Sequence, residues 1–279
     1  MTRLAWNGYG KAEVRLVKVD RNEAAHLLTD LSVDVQLQGN FESVHTGGDN
    51  ACVLPTDTMK NTVYALARQG TVDPPEAFAE RLGAHFLDAC PAATRAVVTL
   101  KAHQWERLSV GGAAHRHAFA RGSEERRIAV ASVGRDRTVV EAGLEGLGLL
   151  KTTGSGFSGY LRDRYTTLPE TEDRIFATEV TAQWRYGERP LDFAAAWCAV
   201  RRALIETFAE HQSASVQQTL YAMGEQALRA CAEAAEIRLV LPNRHHLLVD
   251  LRPFGLENPN EVFVATREPY GRIEAVVTR

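Results

Sequence analysis

With 279 residues, 45% of them hydrophobic and 24% charged, the chain has the make-up of a globular protein of one or two domains, which excludes extensive disorder. A formal net charge of −3 leaves no basic footprint for nucleic acid, and no apolar run is long enough to span a bilayer, so neither partner is expected. Four cysteines (Cys52, Cys90, Cys198 and Cys231) stand far apart with no CxxC pair, a pattern that suits reduced thiols in a cytosolic protein.

The first residues run into Gly8 and Gly10 too early to hold the apolar core of a signal peptide. Val277-Thr278-Arg279 is not a peroxisomal tripeptide, so the cytoplasm is the expected location. The segment 11–19 is strand-like. Next, Leu27, Thr29, Leu31, Val33, Val35 and Leu37 alternate with Asp30, Ser32, Asp34, Gln36 and Gln38, the period of a strand with one buried and one polar face. A helix is predicted after Thr56-Asp57-Thr58, with Met59, Val63 and Leu66 on one stripe and a stop at Gly70. Another is predicted at Asp73-Pro74-Pro75-Glu76, which reads as a cap followed by prolines and an acid; its stripe is Phe78, Leu82, Phe86 and Ala89. Strand-like segments 96–105 and 127–133 follow.

Beyond a seam near Gly134 to Arg137 the order begins again. A strand is predicted over 139–150, and Phe176, Thr178, Val180, Ala182, Trp184 and Tyr186 form a second alternating face. Phe193, Trp197, Val200, Leu204 and Phe208 make a helical stripe. A further helix starts near Ser213 to Ser215 and carries Leu220, Met223, Ala227 and Cys231. The last strand-like segments are 237–251, interrupted by Pro242, and 262–277. Strand-strand-helix-helix-strand-strand thus occurs twice, giving an α+β fold of two tandem repeats, 1–136 and 137–279, whose residues barely match. Helices can cover only one face of each antiparallel sheet. The outermost strands keep unpaired edges, which predicts an oligomer or closure into a barrel.

Taken singly, the chemically suggestive residues are ambiguous. Thr56-Asp57-Thr58 opens a helix, where free N–H groups favour an anion or carbonyl, but taken alone it reads first as an N-cap. Lys11 falls in a strand with Glu13 and Arg15 on its face, the pattern of a solvated charge. Asn243-Arg244-His245-His246 interrupts a strand, and a histidine there is either a proton shuttle or a surface strand end. Phe157 and Arg174 read as a core aromatic and a surface cation. No cofactor motif survives: the glycines over 143–148 lack a strand–turn–helix context, and there is no P-loop, HExxH or GxSxG. His115-Arg116-His117 reads as a polar loop without the cysteine or acid a metal site needs.

Five runs in order resemble the urate oxidase family along nearly the whole chain. They are Tyr9-Gly10-Lys11-Ala12-Glu13-Val14-Arg15-Leu16, Thr56-Asp57-Thr58-Met59-Lys60-Asn61-Thr62-Val63-Tyr64, Arg162-Asp163-Arg164-Tyr165-Thr166-Thr167-Leu168, Ala214-Ser215-Val216-Gln217-Gln218-Thr219 and Leu241-Pro242-Asn243-Arg244-His245-His246. The resemblance implies the tunnelling fold, two ββααββ repeats whose sheets form barrels on oligomerisation, with a homotetramer expected. It also implies oxidation of urate by molecular oxygen with no cofactor and no metal. Residue by residue, it implies that Lys11 and Thr56 form a proton-relay pair joined by His245. Phe157 would stack the purine, while Arg174 and Gln217 grip the ring edge. Asn243 would sit over the ring where oxygen or water binds, and Asp57 and Val216 would add backbone contacts. In the family these two groups come from different subunits. Pro55 departs from the alanine usual before the Thr-Asp pair, and Ser158 replaces a bulkier or histidine neighbour. Enzymes of the same fold that act on pterins or GTP need metal ligands or a catalytic cysteine, a setting that none of the four cysteines has.

Overall fold

The computed structural model describes residues 2–21, 24–190 and 192–279. It divides into two compact units, Met1–Leu144 with Arg185–Ala194 and Glu145–Trp184 with Ala195–Arg279. In the first unit, β1 (Tyr9–Asp20) and β2 (Leu27–Gly39) precede a short helix, α1 (Glu42–Gly47), then α2 (Thr56–Gln69) and α3 (Pro75–Ala89). The long strands β3 (Ala93–Val110) and β4 (Ala113–Gly134) complete an antiparallel sheet in the order β1-β2-β3-β4.

One face of this sheet is the core. Val14, Leu16, Leu31, Val33, Val35, Leu37, Val98 and Leu100 are buried with Met59 and Val63 of α2 and with Phe78, Leu82 and Phe86 of α3. Burying side chains of this size contributes about 1.5–3 kcal/mol each, which is what holds two helices on a sheet. The other face is polar, as the alternation predicts. There the nearly buried Asp30 carboxylate is paired with Arg15, accepts the Trp105 Nε1–H at 2.9 Å and lies 3.7 Å from Arg121.

β1 also fixes the position of α2. The Tyr9 hydroxyl accepts the Leu54 N–H at 2.9 Å just before the helix, and the Tyr64 hydroxyl donates to the Arg15 carbonyl at 3.2 Å. At the far end, Lys18 Nζ donates to the carbonyls of Ala67 (3.1 Å) and Gly70 (2.6 Å), a cation on otherwise unpaired C-terminal acceptors.

The structure corrects several sequence expectations. α2 begins at Thr56 itself with Pro55 as N-cap and no side-chain capping bond, so Thr56 is not the cap. α3 is preceded by Pro74, and Asp73 makes no capping bond. His115-Arg116-His117 is not a loop but part of β4: β3 and β4 continue well past the helices as a hairpin around Gly111 and Gly112, whose φ values of 61° and 81° a glycine pair adopts freely. Most of that extension is exposed and no helix packs on it, so the hydrophobic alternation that marks strands is missing there.

The second unit carries the remainder of β5 (Thr138–Lys151), β6 (Phe176–Tyr186) to Trp184, α4 (Phe193–Glu210) from Ala195, α5 (Val216–Ala230) and β7 (Ala234–Asn243). After these come a small hairpin, β8 (His246–Leu248) with β9 (Phe263–Ala265), and β10 (Gly271–Thr278). The strand order is β5-β6-β7-β10, with β7 and β10 antiparallel in a register from Asn243↔Gly271 to Glu236↔Thr278. The two expected terminal strands are thus each broken in two. Val180, Ala182, Trp184, Val200, Leu204, Phe208, Leu220, Met223 and Leu239 are buried, and Phe176 meets Phe208 at 5.0 Å between ring centroids. Each unit has a helical glycine where a helix lies close against a strand. A Cβ on Gly83 would lie 2.5 Å from Val133 Cγ2, and one on Gly224 would lie 2.6 Å from Val277 Cγ2. No helix among the described residues is long and apolar enough to cross a membrane.

Candidate active site

The expected site residues fall in two groups, one in each unit. In the first unit, β1 does not alternate regularly. Tyr9 pairs with Leu37 and Lys11 with Val35, but the next pairs are Val14 with Val33 and Leu16 with Leu31. Three steps along β1 therefore match two along β2, which is a β-bulge spanning Ala12 and Glu13. Directly opposed residues share a face of an antiparallel sheet, so Lys11 lies on the side of Val35, Val14 and Leu16, the side α2 covers. This overturns the expectation that Lys11 shares the face of Glu13 and Arg15. Without the bulge Lys11 would project from the polar face.

Neighbouring residues explain why Lys11 can reach the helix. Tyr9 packs edge-on against Phe41 with ring centroids 4.8 Å apart, and burial drives its hydroxyl pKa up to about 12, so it is a permanent O–H. A Cβ on Gly10 would sit 1.8 Å from the Val35 carbonyl oxygen, so only glycine allows β1 to approach β2 this closely. Thr56 is the first residue of α2, and Asp57 is the second. The Asp57 carboxyl is held below its usual range by a hydrogen bond and charge from Lys60, then by Asn61 and by the charge of Lys11. Lys11 thus stands on the face of β1 that α2 covers, in the same unit as Thr56 and Asp57.

In the second unit the Phe157 loop, Asp173-Arg174 and the start of α5 are stitched together. The Phe157 N–H donates to the Thr171 carbonyl at 2.7 Å, and the Thr171 N–H returns to the Phe157 carbonyl at 3.1 Å. The Asp173 carboxylate accepts Thr153 Oγ1–H (2.7 Å), Gly154 N–H (2.8 Å) and Ser155 N–H (3.4 Å); the Thr153 bond is the chief reason its pKa is lowered. The Arg174 guanidinium lies 5.4 Å from the Phe157 ring centroid, and its pKa is lowered by burial alone. Tyr160 stacks on Phe157 at 4.8 Å and 13°, so one face of that ring is already backed by protein.

α5 opens with Ser215 as N-cap, its hydroxyl accepting the Gln218 N–H at 3.2 Å, while Gln218 Oε1 accepts the Ala214 N–H at 2.8 Å. This reciprocal cap leaves Val216 and Gln217 in the first turn, where backbone N–H groups have no partner within the helix. Gly154 and Gly156 bond the backbone of Ser213 from either side, at 3.0 and 2.8 Å, which joins the Phe157 loop to the α5 entry. Behind it, His211 Nδ1 meets Thr219 Oγ1 at 3.1 Å, Thr219 Oγ1 donates to Ser213 Oγ at 2.8 Å, and Ser213 Oγ donates to the Ser215 carbonyl at 3.0 Å. Since Thr219 gives its only proton onward, His211 must donate from Nδ1. Lys151 Nζ holds the His211 carbonyl at 2.5 Å, and burial followed by the Lys151 charge lowers the His211 pKa from 6.5.

Asn243 ends β7 opposite Gly271, and His245 lies two residues on, with its carbonyl bonded by Thr266 N–H (2.9 Å) and Oγ1–H (3.1 Å). Between them Arg244 acts as the peg: its N–H bonds the Ala177 carbonyl at 2.9 Å, and its guanidinium bonds the Arg267 carbonyl at 2.9 Å and lies 4.7 Å from the Tyr270 ring centroid. Among the described residues no group of three or more His, Cys, Asp and Glu side chains is arranged to hold a metal ion.

The model of the Uricase family matches residues 7–132 and 140–274. A uricase of Arthrobacter globiformis is 50% identical over 276 residues, covering 99% of this chain and 90% of its own length. A uricase of Danio rerio is 39% identical, with 98% of this chain and 93% of the relative aligned. The crystal structure of the Arthrobacter globiformis uricase superposes with a TM-score of 0.95 at 49% identity, covering 100% of this chain and 96% of that one. The chain belongs to the uricase family.

Within this uricase-family chain, several residues that shape the site escaped sequence reasoning. Tyr160 was visible as an aromatic three residues after Phe157, but nothing in its spacing told a stacked ring from a surface one. Asp173 and Ser213 act through backbone groups distant in sequence, which no local pattern reveals. The bulge had one legible sign: Val14 and Leu16 are out of phase with Tyr9 and Lys11.

Proposed function

We propose that this chain oxidises urate with molecular oxygen and water to 5-hydroxyisourate and hydrogen peroxide, using no metal, flavin or haem. The observation that supports this reading most strongly is the turning of Lys11 from the polar face of β1 to the face that α2, with Thr56 as its first residue, covers. There it becomes half of a base: Thr56 passes a proton from bound urate to the Lys11 amine. The electron-rich urate dianion gives two electrons to oxygen, which takes up two protons and leaves as hydrogen peroxide. Water adds at the ring carbon left electron-poor, and His245 with the same pair removes the proton that water releases. Atoms balance, since urate, oxygen and water give 5-hydroxyisourate and hydrogen peroxide.

In this proposal the second group supplies the slot. Phe157 stacks the ring, and Arg174 and Gln217 hold its edge through a planar fork and an amide. Val216 and Asp57 contribute backbone N–H groups from the first turns of α5 and α2, and Asn243 holds oxygen or water above the ring. Each complete site takes Lys11, Thr56 and Asp57 from one subunit and the remaining residues from another. The repeats 1–136 and 137–279 close into barrels in a homotetramer, and the enzyme works in the cytoplasm.

Loss of urate absorbance in the near ultraviolet, measured with and without chelator, tests this. Equal loss in both supports the reading. Persistence of the absorbance in both would leave a purine-binding protein, and loss that chelation abolishes would mean a metal enzyme.

A further inference from the structure

The proposed relay requires Lys11 to leave the face that a regular strand would give it. We propose that the bulge in β1 is the switch that does so, and that the Asp34 carboxylate, which holds the bulge, is a positioning residue for urate oxidation. This rests on the assignment of Lys11 as part of the base.

The geometry is specific. Side chains along a strand alternate, so one extra residue moves everything beyond it to the opposite face. Counting back from Val14 and Leu16, which are buried under the helices, a regular β1 would place Ala12 and Gly10 on the core side. Lys11 and Tyr9 would then face the polar side that carries Arg15 and Asp30. The extra residue reverses this, and a single shift brings both Lys11 and the Tyr9 clip on Leu54 to α2.

Such a bulge is not free-standing. Glu13 adopts φ 53°, in the left-handed region that a glutamate side chain disfavours, and its N–H has left the β1–β2 ladder. That N–H is taken by Asp34 Oδ1 at 2.5 Å. Asp34 stands on β2 between Val33 and Val35, the residues paired with Val14 and Lys11, so one carboxylate spans the point where the register slips. Glu13 itself is exposed, so its side chain has no packing role that would explain the conformation. Asp34 is therefore tied to the backbone two residues from the reacting amine without touching the amine.

The experiment is steady-state kinetics on single and combined variants, with thermal melting as a control. Asp34→Ala should lower kcat about tenfold or more, since small misplacements of a reacting group have effects of this size, while KM for urate changes less than about twofold. Asp34→Asn keeps an oxygen acceptor and should restore kcat to within about threefold of the parent. Glu13→Val, an exposed change to a branched residue that resists positive φ, should lower kcat as Asp34→Ala does; Glu13→Gly, which accepts it, should not. These two variants decide the matter even where Asp34→Ala does not fold. In a Lys11→Met background, Asp34→Ala should cost nothing more. The proposal is overturned by parent-like kcat in both Asp34→Ala and Glu13→Val, or by a loss that is equally large in the Lys11→Met background, which would mark a general structural role. A silent Lys11→Met variant would instead bring down the assignment of the base, and this proposal with it.

Discussion

If Lys11 and Thr56 pass one proton between them, removing either should cost nearly as much as removing both. Lys11→Met keeps the length and packing of the side chain and removes the amine. Thr56→Ala removes one hydroxyl from the first residue of α2, where Pro55 is the N-cap and no side chain caps the helix. Losing a true capping threonine costs about 1 kcal/mol, but no such bond exists here, so Thr56→Ala should leave the melting temperature nearly unchanged. Acid–base assistance is worth about 10²–10⁴ in rate, so each single variant should lose at least ~100-fold in kcat, about 2.7 kcal/mol of barrier. Independent contributions would multiply to ~10⁴ in the double variant, whereas a single relay predicts little beyond the ~100-fold of either alone. Initial rates of urate loss for the parent, both singles and the double, with melting curves on the same preparations, give the coupling energy directly. Losses that add in log rate would refute the relay, and a destabilised Thr56→Ala protein with normal turnover would return Thr56 to the role of a cap.

Arg174→Lys keeps the charge but loses the planar fork beside Phe157, so KM for urate should rise at least tenfold while kcat changes less; an unchanged KM with a much lower kcat would contradict its role as a clamp. His211 has a folded-state pKa below 6.5, so between that value and 6.5 the unfolded chain binds more protons and stability rises with pH. This contribution should therefore raise the melting temperature as the pH climbs towards 6.5 and level off above it. His103 and His26 shift in the same direction, so the check is that His211→Gln flattens part of this rise, and an unaltered slope would remove His211 from it. Light scattering should show a tetramer, and mixing refolded Lys11→Met and Arg174→Ala chains should recover activity that neither has alone; no recovery would place both halves of the site in one chain.

Much of the fold was legible because burial imposes a period. β2 and β6 lie one face down on helices, so Leu31 to Leu37 and Phe176 to Tyr186 alternate cleanly, and the stripes of α2 to α5 read as helices for the same reason. The β3–β4 extension had no such imprint, because no helix lies on it and its contacts are polar and cationic ones such as Trp105 with Asp30 and Arg107 with Phe119. Among site residues, Arg174 and Phe157 looked ordinary singly, and only their place in a family pattern brought them together. Lys11 was assigned to the wrong face because a bulge is a backbone event: Ala12 and Glu13 carry no turn residue to announce it, and its anchor, Asp34, lies 21 residues away. The stitching of Asp173 and Ser213 to backbone groups is likewise set by tertiary placement and leaves no local trace.

The reaction itself is tested most directly by turnover under ¹⁸O-labelled dioxygen in ordinary water, with protein dialysed against chelator. If oxygen only accepts electrons and water supplies the new hydroxyl, both labelled atoms leave in hydrogen peroxide. The organic product then carries none, and the rate equals that of undialysed protein. Label in the organic product, or no turnover after chelation, would contradict the account.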